Sequence, residues 1–190
     1  MKNHLKCLLG LLLLTAATHV LAQQHSSQEH VSLVLAPPAA QVVALDECDP
    51  TTFNDPAALG PDFCKNVSLG SFTTFSDLFT EAAAGTPDPK WDFEPDALKI
   101  RQGTTVRIVD QGGEPHTFTE VKKFGGGFVA GLNAPGETTV PECVGGFAEV
   151  GVAKTRILQG SAMEVTNLTK GQHNFQCCIH PWMRVKVEVK

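Results

Sequence analysis

The stretch from Gln172 to Lys190 constrains the fold more than any other part of the chain. Gln172-His173-Asn174-Phe175-Gln176-Cys177 alternates as a strand does, with His173, Phe175 and Cys177 on one face and the Gln and Asn residues on the other. Val185, Val187 and Val189 then alternate with Lys186, Glu188 and Lys190. Between the two lies Cys177-Cys178-Ile179-His180-Pro181-Trp182-Met183, which sets a thiol, an imidazole and a thioether three residues apart on one short connection. A loop closing such a run can aim Cys177, His180 and Met183 at a single point.

The period of two recurs upstream. Leu98 and Ile100 alternate with Lys99 and Arg101, and after Gln102-Gly103, Val106 and Ile108 alternate with Thr105 and Arg107. Gln111-Gly112-Gly113 marks a turn, and Pro115-His116-Thr117-Phe118-Thr119 extends again. Ile157, Met163 and Val165 suggest strands resuming before the turn at Lys170-Gly171. Short one-sided strands between Gly-containing turns predict an all-β sandwich or barrel. The 11 Phe and the absence of Tyr suit its core. Lys122 to about Lys154 is broken by Gly125-Gly126-Gly127, Gly131, Gly136 and Gly145-Gly146, and fits either two or three irregular strands or a long loop.

The N-terminal part reads differently. Residues 1–22 carry Lys2 and Lys6, an apolar run from Cys7 to Leu14 and small residues at Val20-Leu21-Ala22, the pattern of a cleaved secretory signal peptide. The apolar run is too short to span a bilayer, and no later stretch approaches that length, so no membrane span is expected after cleavage. Residues 23–45, rich in Gln, Ser, Ala and Pro, read as a flexible linker. Residues 46–88 form an N-terminal extension: Cys48 and Cys64 bracket a turn-rich segment, and Phe75, Leu78, Phe79 and Ala82 recur at helical spacing behind a Thr74/Asp77 capping pair, with Gly85 as the stop. A Cys48–Cys64 bridge would contribute roughly 3 kcal/mol in the chain-entropy account. Residues 89–190 are the β domain.

Charge and cysteine count narrow the function. The formal charge of −5 falls to −7 once Lys2 and Lys6 are removed, and no Lys/Arg run stands out, so nucleic acid is not an expected partner. Cleavage leaves five cysteines, Cys48, Cys64, Cys143, Cys177 and Cys178, and an odd number in an oxidising compartment leaves one thiol over. Phe175 should face inward, which turns Cys177 inward and Cys178 outward. Cys178 can then pair with Cys143. The alternatives are a Cys177–Cys143 bridge and a strained vicinal one. Thiolate, thioether and imidazole together suit copper, and a trigonal His2Cys site with a weak axial Met is the electron-transfer arrangement. The second imidazole is assigned to His116, inward beside Phe118. His173 sits four residues from Cys177, roughly 13 Å at strand rise, too far to share the metal. Trp182 reads as an apolar cover over the site.

Cys177 to Val189 resembles the ligand loop and last strand of the small blue copper proteins, the cupredoxins, of the amicyanin and plastocyanin-like branch. Phe93-Glu94-Pro95, Gly103-Thr104-Thr105-Val106 and Pro115-His116-Thr117-Phe118 are similar to that family's opening strands and first His ligand. The resemblance implies a type 1 copper ion held by His116, Cys177, His180 and axial Met183, in an antiparallel Greek-key β-sandwich. It covers about residues 90–120 and 155–190. Val185 stands where the family has Gly after Met-Arg, implying an altered turn. Cys178 beside a ligand Cys implies a restrained or redox-sensitive site.

The expected function is a periplasmic or secreted mononuclear copper protein that carries single electrons between transient redox partners, as a monomer and not an enzyme. His180, on the loop nearest solvent, is the expected electron exit. The alternatives are copper storage or delivery, and a metal-free structural or binding domain. Multicopper oxidase chemistry is disfavoured because the domain supplies only His116, His173 and His180.

Overall fold

In the computed structural model, which describes residues 39–65 and 72–190, the period-two segments are strands. The elements are β1 (Ala39–Leu45), α1 (Pro50–Phe53), α2 (Phe75–Ala83), β2 (Asp92–Glu94), β3 (Ala97–Ile100), β4 (Thr105–Asp110), β5 (His116–Thr117), β6 (Thr119–Val121), α3 (Val150–Ala153), β7 (Arg156–Ile157), β8 (Ala162–Val165), β9 (Gly171–Gln176) and β10 (Arg184–Val189). The expected leader and the greater part of the expected linker lie outside the described residues.

Two four-stranded sheets form the sandwich, ordered β2-β1-β4-β8 and β3-β10-β9-β6, with β5 and β7 as a small third sheet. The fold is all-β, as expected, but not wholly antiparallel. β1 runs parallel to β4, and β3 parallel to β10. Parallel neighbours need a long crossover, and here much intervening chain separates each pair. Val42 and Ala44 of β1, Val106 and Ile108 of β4, Phe175 of β9 and Val185, Val187 and Val189 of β10 belong to one buried core. Phe118 stacks on Phe175 with centroids 4.4 Å apart. Val185 continues β10 opposite Phe175, so the strand begins directly after the loop.

The flexible reading of 23–45 fails for residues 39–45. β1 is an interior strand flanked by β2 and β4. It buries Val42 and Ala44 and half-buries Val43 and Leu45, so both faces are apolar and no alternation shows in the sequence. Residues 46–88 are therefore an insertion between β1 and β2 rather than an extension ahead of the domain. Within it, the Thr74 side chain accepts from the Asp77 N–H and donates to the Asp77 carboxylate, the reciprocal cap expected for α2. Leu78 and Ala82 are the buried residues of that helix. Asp49 caps α1, and Cys48 is bridged to Cys64. Phe53 of α1 packs edge-on against Phe75 and stacks near Trp91, joining the insertion to the main core.

Of the two readings for residues 122–154, the long loop holds. Short 3-10 turns at Ala130–Leu132, Pro141–Cys143 and Gly146–Ala148 lead into α3. The segment closes a second small core of Val121, Val140, Cys143, Val152 and Cys178. Gln176, fully buried, exchanges hydrogen bonds with the backbone of Gly125 at 3.1 and 3.2 Å. The face that Cys178 presents is thus covered by protein. No helix among the described residues is long and apolar enough to cross a membrane.

Candidate metal centre

His116 opens β5, just after the Gln111-Gly112-Gly113 turn, and Cys177 follows the last residue of β9. The connection from β9 to β10 is a tight turn: the Met183 N–H donates to the His180 carbonyl and the Cys177 N–H to the Met183 carbonyl, both at 3.0 Å. Met183 is fully buried beside the start of the loop. Cys143 and Cys178 are bridged, and Cys177 is a free, buried thiol, which fixes the pairing that strand parity favoured.

Three of the four expected ligands converge. The Cys177 sulfur lies 3.9 Å from His116 Nδ1 and 3.9 Å from His180 Nδ1. All three groups are buried, with donor atoms within 4.8 Å of one another. Bonds of about 2.3 Å to thiolate and about 2.0 Å to imidazole, opened to a trigonal angle, put sulfur and nitrogen about 3.8 Å apart. The N–H groups of Thr117 and His180 also point at the sulfur, at 3.4 and 3.5 Å. The Thr117 hydroxyl accepts from the Cys178 N–H at 2.7 Å and so tethers the loop to β5. His173 stands apart: its nitrogens meet Glu120 at 2.6 Å and the Thr169 carbonyl at 2.8 Å.

Two carboxylates hold the far side of the imidazoles, and sequence reasoning missed both. Asp46, at the end of β1, accepts from the N–H groups of Gly113 and Glu114 at 2.9 and 3.0 Å and contacts His116 Nε2 at 2.9 Å. The turn wraps this carboxylate so closely that a Cβ at Gly112 would fall on it. Glu114 Oε2 lies 3.2 Å from His180 Nε2 and accepts from Trp91 Nε1 at 2.9 Å. The adjacency of Glu114 to Pro115-His116 was the available signal for one. Asp46 is brought in from 70 residues away, with no local signature. Carboxylates on the outer nitrogen fix an imidazole's tautomer and aim the inner nitrogen.

The electrostatics suit a cation. Burial pushes the Cys177 thiol up, but hydrogen bonds from His116 and His180 and their charges overcome it and hold the thiol well below its usual range. Burial works against charge on His180 too, yet Cys177 and Glu114 push it up to about 9. His116 is likewise held well above the usual value, against burial, by Asp46 and Cys177. Burial raises Asp46, and its bonds to His116 and to the Glu114 and Gly113 N–H groups bring it below the ordinary value. Asp110, near His116, is pushed up to about 7, chiefly by burial. A thiolate between two imidazole nitrogens, backed by carboxylates, calls for positive charge at its centre. Copper fits this donor set.

His180, expected on the loop nearest solvent, is instead buried. It is 2 % exposed, with Glu114 against its Nε2 and the Trp91 and His116 rings packed near it. Trp182 is half-buried, with its ring centroid 5.6 Å from that of His180 and its Nε1 donating to the Trp91 carbonyl at 3.0 Å.

The fold is an all-β sandwich of two four-stranded sheets. Among solved structures it is similar to a purple cupredoxin from Nitrosopumilus maritimus, at 16% identity over 80% of this chain and 99% of that one, with a TM-score of 0.38. It is also similar to a variant of amicyanin in its Cu(I) form, at 22% identity over 52% and 73%, with a TM-score of 0.32, and to an oxidised amicyanin variant, at 21% over 52% and 73%, with a TM-score of 0.33. No protein-family model and no curated protein matches the chain.

Proposed function

We propose that the protein binds one type 1 copper ion through His116, Cys177 and His180, with Met183 as the weak axial ligand, and carries single electrons between redox partners. The observation that carries this reading is the unbridged Cys177 sulfur with an imidazole Nδ1 on each side at 3.9 Å. Copper would supply the one-electron couple. The chain's own groups do the rest. Asp46 and Glu114 fix the two rings from behind, the Thr117 and His180 N–H groups stabilise the sulfur's negative charge, and the insertion excludes water. A preset ligand frame keeps rearrangement between oxidation states small.

Complete burial of the three ligand groups favours retention of the metal over storage or delivery, which need an exposed donor for handover. Two disulfides suit a periplasmic or secreted setting. Partners are other redox proteins in short-lived encounters with a monomer, and no catalytic turnover is assigned. The test is an optical spectrum and metal assay after Cu(II) loading. An intensely coloured oxidised form that Cys177→Ser abolishes is the expected result. A colourless copper-loaded protein sinks the reading.

A further inference from the structure

The two segments that lie outside the strand pattern converge on the site loop. Phe53, Phe75 and Phe79 from the insertion meet Phe128 and Leu132 from the glycine-rich loop, and with His180 on one side they line a partly open cavity of about 210 Å³. Its wall is aromatic: Phe75 and Phe79 lie 4.9 Å apart, and Phe128 packs edge-on against Phe147 at 5.2 Å. Among the described residues, two polar side chains reach it, Glu114 and His180, each 2 % exposed. Both nitrogens of His180 are engaged, Nδ1 toward Cys177 and Nε2 toward Glu114. Glu114 uses Oε2 for Trp91 and His180, and among the described residues Oε1 receives no hydrogen bond. An apolar chamber with one unfilled acceptor defines its occupant closely.

The volume suits a buried portion of one ring. A cavity of about 150 Å³ accommodates benzene, whereas pockets for drug-sized ligands start near 300 Å³. Facing phenylalanines favour an aromatic ring, through edge and offset contacts. The carboxylate asks for a hydrogen-bond donor. A cationic donor is disfavoured, because Glu114 already faces the His180 ring and an ammonium would lose its hydration in an apolar wall. We infer that this cavity binds a monocyclic phenol, its ring among Phe53, Phe79 and Phe128 and its hydroxyl donating to Glu114 Oε1. The binding site stands without the copper reading, and only its use beside a metal rests on that reading.

The probe is p-cresol, with toluene as the same shape lacking the hydroxyl, titrated into the metal-free and the Cu(I)-loaded protein and followed by NMR. Saturable shifts confined to residues such as Leu132 and Ile179 are expected, with a dissociation constant of about 0.1–1 mM. Toluene should bind about fivefold or more weakly for want of the hydrogen bond. Val129→Trp, which fills the chamber, should weaken p-cresol at least about tenfold while circular dichroism shows a folded chain. If that variant does not fold, Phe79→Trp on α2 serves the same purpose. Absence of saturable binding, or binding indifferent to the filled chamber, overturns the proposal. Equal affinity for toluene and p-cresol also overturns it, and assigns the cavity to a plain apolar group such as a side chain of a docked protein. Binding by the metal-free protein is read independently of colour, so loss of either result leaves the other standing.

Discussion

Glu114 places a carboxylate against the outer nitrogen of His180 at 3.2 Å, with both side chains buried. A negative charge there favours the more positive oxidation state of a bound ion. Glu114→Gln keeps the shape and removes the charge, so the reduction potential should rise. A unit charge roughly 7 Å from the ion, at an effective dielectric near 20, corresponds to about 2 kcal/mol, or on the order of 100 mV. Voltammetry on the copper-loaded variant checks this, and an unchanged potential would mean that Glu114 positions the ring without biasing its charge. Asp110 makes a second residue-scale prediction. Its Oδ1 accepts from the Gly112 N–H, while the buried Oδ2 has no partner among the described residues. Its carboxyl is raised from 3.8 to about 7 by burial. Between about pH 4 and 7 the unfolded chain has lost a proton that the native carboxyl keeps, so stability falls as pH rises through that window. The loss is complete above the native value and is at most about 4 kcal/mol. Asp110→Asn should flatten the decline, read from denaturant midpoints at pH 4.5 and 7.5. At this scale the convergence of Cys177, His180 and His116 was legible from residue type and spacing. Glu114 offered only its adjacency to Pro115-His116, and Asp46 and Asp110 offered no signal, because a carboxylate becomes part of a site only through the partners that the fold brings to it.

The loop between β6 and β7 acts through its backbone as much as its side chains. The Phe128 N–H donates to the Cys178 carbonyl at 2.8 Å, and a Cβ on Gly127 would fall on that same oxygen. Gly127→Ala must therefore push the loop off the ligand turn, at a cost of about 1–3 kcal/mol from lost packing and a broken hydrogen bond. Gly151 in α3 is the contrast: nothing lies within 4 Å of its would-be Cβ. Gly151→Ala should leave stability unchanged or raise it by up to about 1 kcal/mol. Urea midpoints of the two variants check both, and equal effects would show that the close approach at Gly127 is not what the loop depends on. Elements with one wet face were legible beforehand. β3, β10 and the Thr74-capped helix α2 announce themselves by period and cap. β1 did not, since an interior strand with apolar residues on both faces looks like an unstructured Ala/Val run. The covered face at Gln176 and Cys178 was equally hidden, because polar residues there are satisfied by the Gly125 backbone instead of solvent.

Across the whole molecule, the sandwich carries the proposed ligands and the insertion lines the cavity on which His180 borders. Asp46 begins the insertion, Trp91 follows it, and the Cys48–Cys64 bridge ties its first half against the core. The antiparallel pairing of β1 with β2 is what allows this, since the chain leaves β1 at Asp46 beside His116 and re-enters at Asp92 opposite Leu45, so the insertion begins and ends at the site's end of the sheet. A bound ion with all of its protein donors buried can reach a chelator only when the covering segment opens. Copper removal should then proceed at a rate that becomes independent of chelator concentration, set by local opening rather than by collision. Replacing both Cys48 and Cys64 by Ser releases a loop of 16 residues and weakens the closed state by about 3 kcal/mol. Removal should accelerate about 100-fold, in proportion to the larger open population, while the Cys143–Cys178 bridge keeps the ligand turn in place. Stopped-flow loss of the visible band at increasing chelator concentration is the measurement. A rate that climbs linearly without a plateau in the native protein would show that the site is open to solvent without any movement of the insertion.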